Sequence, residues 1–241
     1  MSFTTKIADK IIYIENLHPE TQEFFKDYLI EEKPCEFHIT CTPDDIDNEQ
    51  AQCTENTFSP SYLETLAILR KLAELFPLHN CFLMHGACIA YKNKAYLFTA
   101  PSGTGKSTHI KLWRKYLGEK VQIVNGDKPF ISLEQEEPII YGTPWAGKER
   151  WQRNCSEKLC GICFVERGTK NTIRPLSPNE ALPLVFKQIF IPSETLAATA
   201  TLELIDSLLK NTPLYLLTCD ISEDAVRCSF QALTKLTYPN S

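Results

Sequence analysis

The stretch Ala95-Tyr96-Leu97-Phe98-Thr99-Ala100-Pro101-Ser102-Gly103-Thr104-Gly105-Lys106-Ser107-Thr108 reads as an apolar strand, a glycine-bearing loop and a helix start. That layout is the one a phosphate-binding P-loop requires. Gly103 and Gly105 can take the positive φ values that turn successive backbone N–H groups toward one anion. Residues Ser102, Gly103, Thr104, Gly105, Lys106, Ser107 and Thr108 are therefore the candidate nucleotide cradle. Within it, Lys106 supplies a mobile charge for the β- and γ-phosphates, and Ser107 supplies a hydroxyl for Mg²⁺. Ala100 stands where the strict pattern has its first glycine. A small residue serves there if its φ is negative.

The neighbouring segments frame this loop. Phe82 to Tyr91 is an apolar strand interrupted by His85-Gly86, and Lys92-Asn93-Lys94 turns it back into the strand that enters the loop. His85 lies fifteen positions before Ala100. The hairpin either brings its ring near the loop or buries it as a core histidine satisfied by a carbonyl. Beyond the loop, Ile110, Trp113, Tyr116 and Leu117 mark the inward face of a helix that Gly118 stops. His109 falls in that helix and is read as packing. Val121 to Val124 is a short strand, followed by Asn125-Gly126-Asp127. A carboxylate at this point is where Walker-type proteins hold the metal or its water; the other reading is a turn-forming Asp. Tyr141 to Asn154 combines turn residues, two tryptophans and the cations Lys148, Arg150 and Arg153. It reads either as a loop countering phosphate charge or as an exposed basic turn packed by tryptophan.

Composition removes several classes. With 241 residues, 43% hydrophobic and 23% charged, the chain has globular composition and can bury a sizeable core. A formal net charge of −5 and the lack of a basic run argue against nucleic acid as partner. No apolar signal region or membrane-length segment is apparent, so the expectation is a cytoplasmic protein without a membrane partner. A homo-oligomer is left open. The ten cysteines then read as free thiols. Cys160-Gly161-Ile162-Cys163, with Cys155 upstream, lacks a second pair and reads as buried small hydrophobes; a thiol or zinc protein is the weaker alternative.

The remaining elements are read from periodicity. Lys6 to Glu15 and Phe37 to Cys41 predict strands, and Pro19 to Ile30 a loose helix. Asp44 to Glu49 predicts a solvated acidic loop, and His38 is read as structural. Ser59-Pro60-Ser61 opens a helix whose stripe of Leu63, Leu66, Leu69, Leu72, Ala73 and Phe76 packs on the domain C-terminal to it, with Glu64, Arg70, Lys71 and Glu74 on its other side. Leu159 to Glu166 and Tyr215 to Cys219 predict strands; Asn179 to Ile191, Leu202 to Leu209 and a capped Ser222 to Leu236 predict helices. The fold class is α/β, with an α+β region at 1–79 and a larger domain at 80–241.

His85-Gly86, the Ser102 to Ser107 loop and Asn125-Gly126-Asp127 together resemble the HPr kinase/phosphorylase superfamily, which includes the ATP-dependent phosphoenolpyruvate carboxykinases. The segments 100–113, 126–129 and 142–148 are more similar still to an uncharacterised bacterial subgroup related to these kinases. The resemblance implies a P-loop kinase core with a mixed sheet flanked by helices, using ATP and Mg²⁺. It also implies that Asp127 is the base that deprotonates an acceptor hydroxyl, with His85 beside it, Lys106 on the phosphates and Ser107 on the metal. From its own position Asp127 is expected to assist Ser107 with the metal, and a cation of the 148–153 loop, Lys148 among them, to balance charge in place of the arginine-bearing loop of those kinases. Gly126 departs from the paired aspartates of those families. The expected activity is phosphoryl transfer from ATP to a hydroxyl of a protein, peptide or small molecule. The alternative is a non-catalytic nucleotide-binding sensor of the same fold, and carboxykinase chemistry on a keto acid ranks below both. HPr itself is not the expected acceptor, because residues 1–79 do not resemble the matching part of its kinase.

Overall fold

The computed structural model describes residues 1–31, 33–53 and 57–239. It is a mixed α/β protein with two sheets. The smaller sheet joins β1 (Ser2–Ile7), β2 (Lys10–Glu15) and β3 (Phe37–Thr40), β1 antiparallel and β3 parallel to β2. The sequence predicts one strand over 6–15. The chain instead makes a hairpin, because Ala8 and Asp9 take φ of 51° and 62°, the left-handed pair of a tight two-residue turn.

Helix α1 (Pro19–Phe24) is short, and α2 (Pro43–Ala51) corrects the predicted acidic loop. Thr42 and Asp45 form a reciprocal capping box around Pro43, and the acidic first turn suits the positive end of the helix. Helix α3 (Pro60–Leu75) starts on the Ser59 cap and buries Leu63, Ala67, Ile68, Leu69, Leu72 and Ala73. Glu64 does not lie on its solvent side as predicted. It is fully buried and accepts hydrogen bonds from the Leu17 and His18 N–H groups and the Thr21 hydroxyl, so it satisfies the start of α1.

The larger sheet runs β4 (Cys81–Leu83), β8 (Phe130–Ser132), β9 (Ile139–Tyr141), β10 (Ser156–Arg167), β6 (Lys94–Thr99), β5 (Ala87–Tyr91), β7 (Val121–Asn125) in spatial order. The second half of β10 also pairs in parallel with β12 (Leu214–Cys219), which carries β11 (Thr172–Pro175) on its far side. The three-residue strands β8 and β9, and β11, are absent from the sequence reading. Helices α4 (Lys106–Leu117) and α7 (Glu223–Thr234) cover one face; α5 (Pro178–Val185) and α6 (Thr195–Asn211) cover the other. Helix α5 stops at Val185, short of the predicted Ile191, and Ile189 makes a β-bridge to Met84. Ser222 heads α7 without a side-chain cap, because its hydroxyl donates to Asp220 instead.

A third apolar cluster joins the two sheets. Phe3, Ile12, Ile14, Phe25 and Ile68 meet Leu83, Phe130, Tyr141 and Trp145. The Trp145 indole N–H donates to the Thr65 carbonyl at 2.9 Å, and its ring meets Phe25 edge-on at 5.3 Å. Among the described residues no helix is long and apolar enough to cross a membrane.

Candidate functional site

Strands β6, β10 and β12 are parallel, and β7 points the same way because β5 is antiparallel to both β6 and β7. Their carboxyl ends therefore share one edge of the sheet, the usual place for a ligand site in α/β folds. Loop 100–105, Asp127, Arg167 and Asp220 all emerge there.

The glycine loop has the predicted backbone. Gly103 and Gly105 take φ of 77° and 125°, and nothing within 4 Å occupies the side-chain position at either. Gly105 heads α4, and the N–H groups of residues 105–108 make no hydrogen bond to the described residues. Lys106 is buried and folds back, its Nζ 2.8 Å from Ala100 O and 3.3 Å from Pro101 O. Burial lowers its ammonium from the ordinary lysine value, while the Asp127 charge opposes that shift. Ser102, Ser107 and Thr108 lie at the mouth, with Ser102 and Thr108 exposed.

The hairpin does bring His85 to this edge. Its carbonyl accepts from the Thr99 hydroxyl at 2.7 Å, and the next N–H, Gly86, donates to Asp127 O at 2.8 Å. The His85 ring spans two partners: Nε2 lies 3.2 Å from Asp127 Oδ1, and Nδ1 lies 2.9 Å from Oε1 of buried Gln188. Asn125 shapes the turn below, its Oδ1 accepting from Asp127 N–H at 2.9 Å and Lys128 N–H at 2.8 Å. Burial pushes the Asp127 carboxyl up. The His85 hydrogen bond and the Lys128, His85 and Lys106 charges more than offset this and hold it below the usual carboxylate range. Lys128 Nζ stands 3.6 Å from Asp127 Oδ2. Burial and the Asp127 charge push the Tyr62 hydroxyl of α3 up from its ordinary value.

Gly126 is glycine for a steric reason. A Cβ there would sit 2.6 Å from Ala146 O and 3.5 Å from Trp151 O. The 142–153 loop occupies the volume that a second aspartate would need. Gly147, at φ 73°, approaches the Asp127 side chain so closely that a Cβ would lie 3.2 Å from its Cβ. Lys148 is exposed beside it and makes no hydrogen bond or ion pair with the described residues. Arg153 instead bonds the Gln122 side chain, and Arg150 lies within electrostatic reach of Lys26. Among the three cations only Arg153 has a side-chain bond to the described residues, and the charges that act on Asp127 are those of Lys128, His85 and Lys106.

Two groups escaped the sequence reading. Gln188 anchors His85 from a segment predicted as continuous helix. Arg167, at the end of β10, donates from Nε to Thr104 O at 3.0 Å and from Nη2 to Gly103 O. Two cavities flank this arginine. One of about 550 Å³ runs between loop residues 99–104, Leu184, Gln188 and Leu216; one of about 300 Å³ lies between Gly105, Thr108, His109 and Asp220. His109 packs as expected, its Nε2 2.9 Å from Ser229 Oγ of α7, and burial pulls its pKa down to about 4. All ten cysteines are free, and no group of three or more His, Cys, Asp or Glu suited to a metal occurs among the described residues.

No family model matches the chain, and no curated protein does. Among solved structures, the HPr(Ser) kinase/phosphatase from Coxiella burnetii matches with 10% identity over 64% of this chain and 93% of that one, at a TM-score of 0.36. That is a distant likeness, and it carries no argument about the site.

Proposed function

We propose that the chain is an ATP-dependent phosphotransferase that moves the γ-phosphate to a hydroxyl of a protein, peptide or small molecule. One observation carries this reading: the His85–Asp127 pair, at 3.2 Å, stands beside a glycine loop whose helix presents free N–H groups. The N–H groups of residues 105–108 and the start of α4 would hold the phosphate chain. Lys106 would exchange its two loop carbonyls for β- and γ-phosphate oxygens, a better match for an ammonium. Asp127, kept ionised by His85 and the two lysines, would accept the hydrogen bond of the acceptor hydroxyl. It would take that proton as the new O–P bond forms and the bridging oxygen leaves with ADP. Lys148, without a partner among the described residues and next in the chain to Gly147, which packs on Asp127, would follow the shifting negative charge. The oxygen donors Ser107 and Asp127 suit a hard divalent ion; Mg²⁺ held there would neutralise the phosphate oxygens.

Lys106→Ala is expected to lose both MgATP binding and ADP release over a panel of hydroxyl-bearing peptides and metabolites. Asp127→Asn should bind MgATP as the parent does and release ADP roughly 10²–10⁴-fold more slowly. Parental turnover in Asp127→Asn would remove the base assignment. A second reading, a nucleotide-binding sensor without catalysis, is favoured by Gly126, whose crowding leaves Asp127 as the lone carboxylate of its turn. MgATP binding with no ADP release on any acceptor is what that reading predicts.

A further inference from the structure

The cations of the phosphate loop come from two directions. Lys106 reaches from α4 to the carbonyls of Ala100 and Pro101, and Arg167 reaches from β10 to those of Gly103 and Thr104. Between them they hold four consecutive or near-consecutive loop carbonyls. Topology explains the second set. Strand β10 runs parallel to β6 with Phe164 opposite Thr99, so the two strands end together and Arg167 continues alongside the loop.

The direction of these bonds matters. A trans peptide holds its C=O and N–H in one plane, pointing in opposite directions. With Thr104 O turned to Arg167, the Gly105 N–H is driven to the other side, and it has no partner among the described residues. The Thr104 N–H is already used, donating to Pro101 O at 3.2 Å. Arg167 therefore fixes a peptide plane that Gly105, at φ 125°, would otherwise leave free to flip. The guanidinium suits this task because its adjacent N–H groups diverge in a rigid fork, whereas an ammonium offers one point charge. The arginine side chain is exposed and has no ion-pair partner among the described residues. Its charge-assisted bonds thus go to the loop carbonyls alone.

We infer that Arg167 is a positioning residue that holds the glycine loop with its N–H groups inward for the phosphate chain. This rests on the phosphate-site reading of the loop. It assigns to the end of β10 a part in binding that neither the loop motif nor its flanking helix contains.

The test is calorimetric titration of the full chain with MgATP and with magnesium tripolyphosphate. Arg167→Ala is expected to weaken both ligands roughly 10- to 100-fold, the range for hydrogen bonds from a charged group. Arg167→Lys should recover only part of that loss, and ethylguanidinium added to Arg167→Ala should recover more. A merely structural arginine would lower the melting temperature without rescue by ethylguanidinium. Unchanged affinity in Arg167→Ala overturns the inference, and so does weakened affinity that neither lysine nor ethylguanidinium restores. If the parent protein binds neither ligand, the phosphate-site reading itself falls and takes the inference with it. Parental binding that survives Arg167→Ala but is lost in Lys106→Ala would leave that reading standing and remove only the role of Arg167.

Discussion

The two connections at the carboxyl edge, 100–105 and 125–129, both depend on glycine, for opposite reasons. Gly103 and Gly105 have open space around them and take φ values that other residues resist. Gly126 has no such φ but lies under the Ala146 carbonyl with no room for a single added carbon. The first connection is conformationally special and sterically open. The second is conformationally ordinary and sterically closed, and Asn125 rather than glycine shapes its turn. The lesson is that two glycines free a backbone conformation, whereas the third makes room for a neighbouring segment of the chain itself.

Substitutions can break this contrast. Gly126→Asp would supply the paired carboxylate but must displace the 145–151 backbone; the expected cost is about 3 kcal/mol, at the upper end for overpacking. Thermal unfolding would show it, and an unchanged melting temperature would mean that the close approach carries no constraint. Gly105→Ala meets no atom yet is forced against its φ, at about 1–3 kcal/mol of local strain. It should weaken MgATP binding more than it lowers global stability, the reverse of Gly126→Asp.

The smallest effect concerns the anchors beneath the two connections. The Asn125 amide does not titrate, whereas His109 under the glycine loop does. Its pKa of about 4 in the folded protein lies below the unfolded value, so the unfolded chain binds the extra proton. Stability contributed by the neutral ring is complete above pH 6.5 and is lost as pH falls toward 4. Between pH 7.5 and 5.5 the loss is about 1 kcal/mol. In His109→Gln, equilibrium denaturation should lose that part of its pH dependence; the same slope in both proteins would assign it to other groups.

Local segments were legible. The strand, glycines and helix at 95–117 succeed one another in the chain, so propensity, turn chemistry and periodicity all report on them. His85 and Asp127 were legible because a hairpin and a short crossover bring them back within a few dozen residues. Arg167 was not, since its place depends on β10 lying parallel to β6, a pairing between segments some sixty residues apart in the chain. Glu64 misled for a related reason. A carboxylate opposite an apolar stripe reads as solvated, and only the fold reveals that α1 begins against it. The 43–51 helix did carry a signal, a threonine cap with proline and an aspartate three residues on, but its density of acids masked it. Strands β8 and β9 have three residues each, too few for alternation to show.

The Trp145 indole, bonded to Thr65 and walled by Phe25, belongs to a core to which both halves of the chain contribute. Neither half closes that apolar surface by itself. A single unfolding transition is therefore the expected outcome on heating, and a truncation before residue 80 is expected to expose a tryptophan, a phenylalanine and a tyrosine at once instead of releasing an appendage.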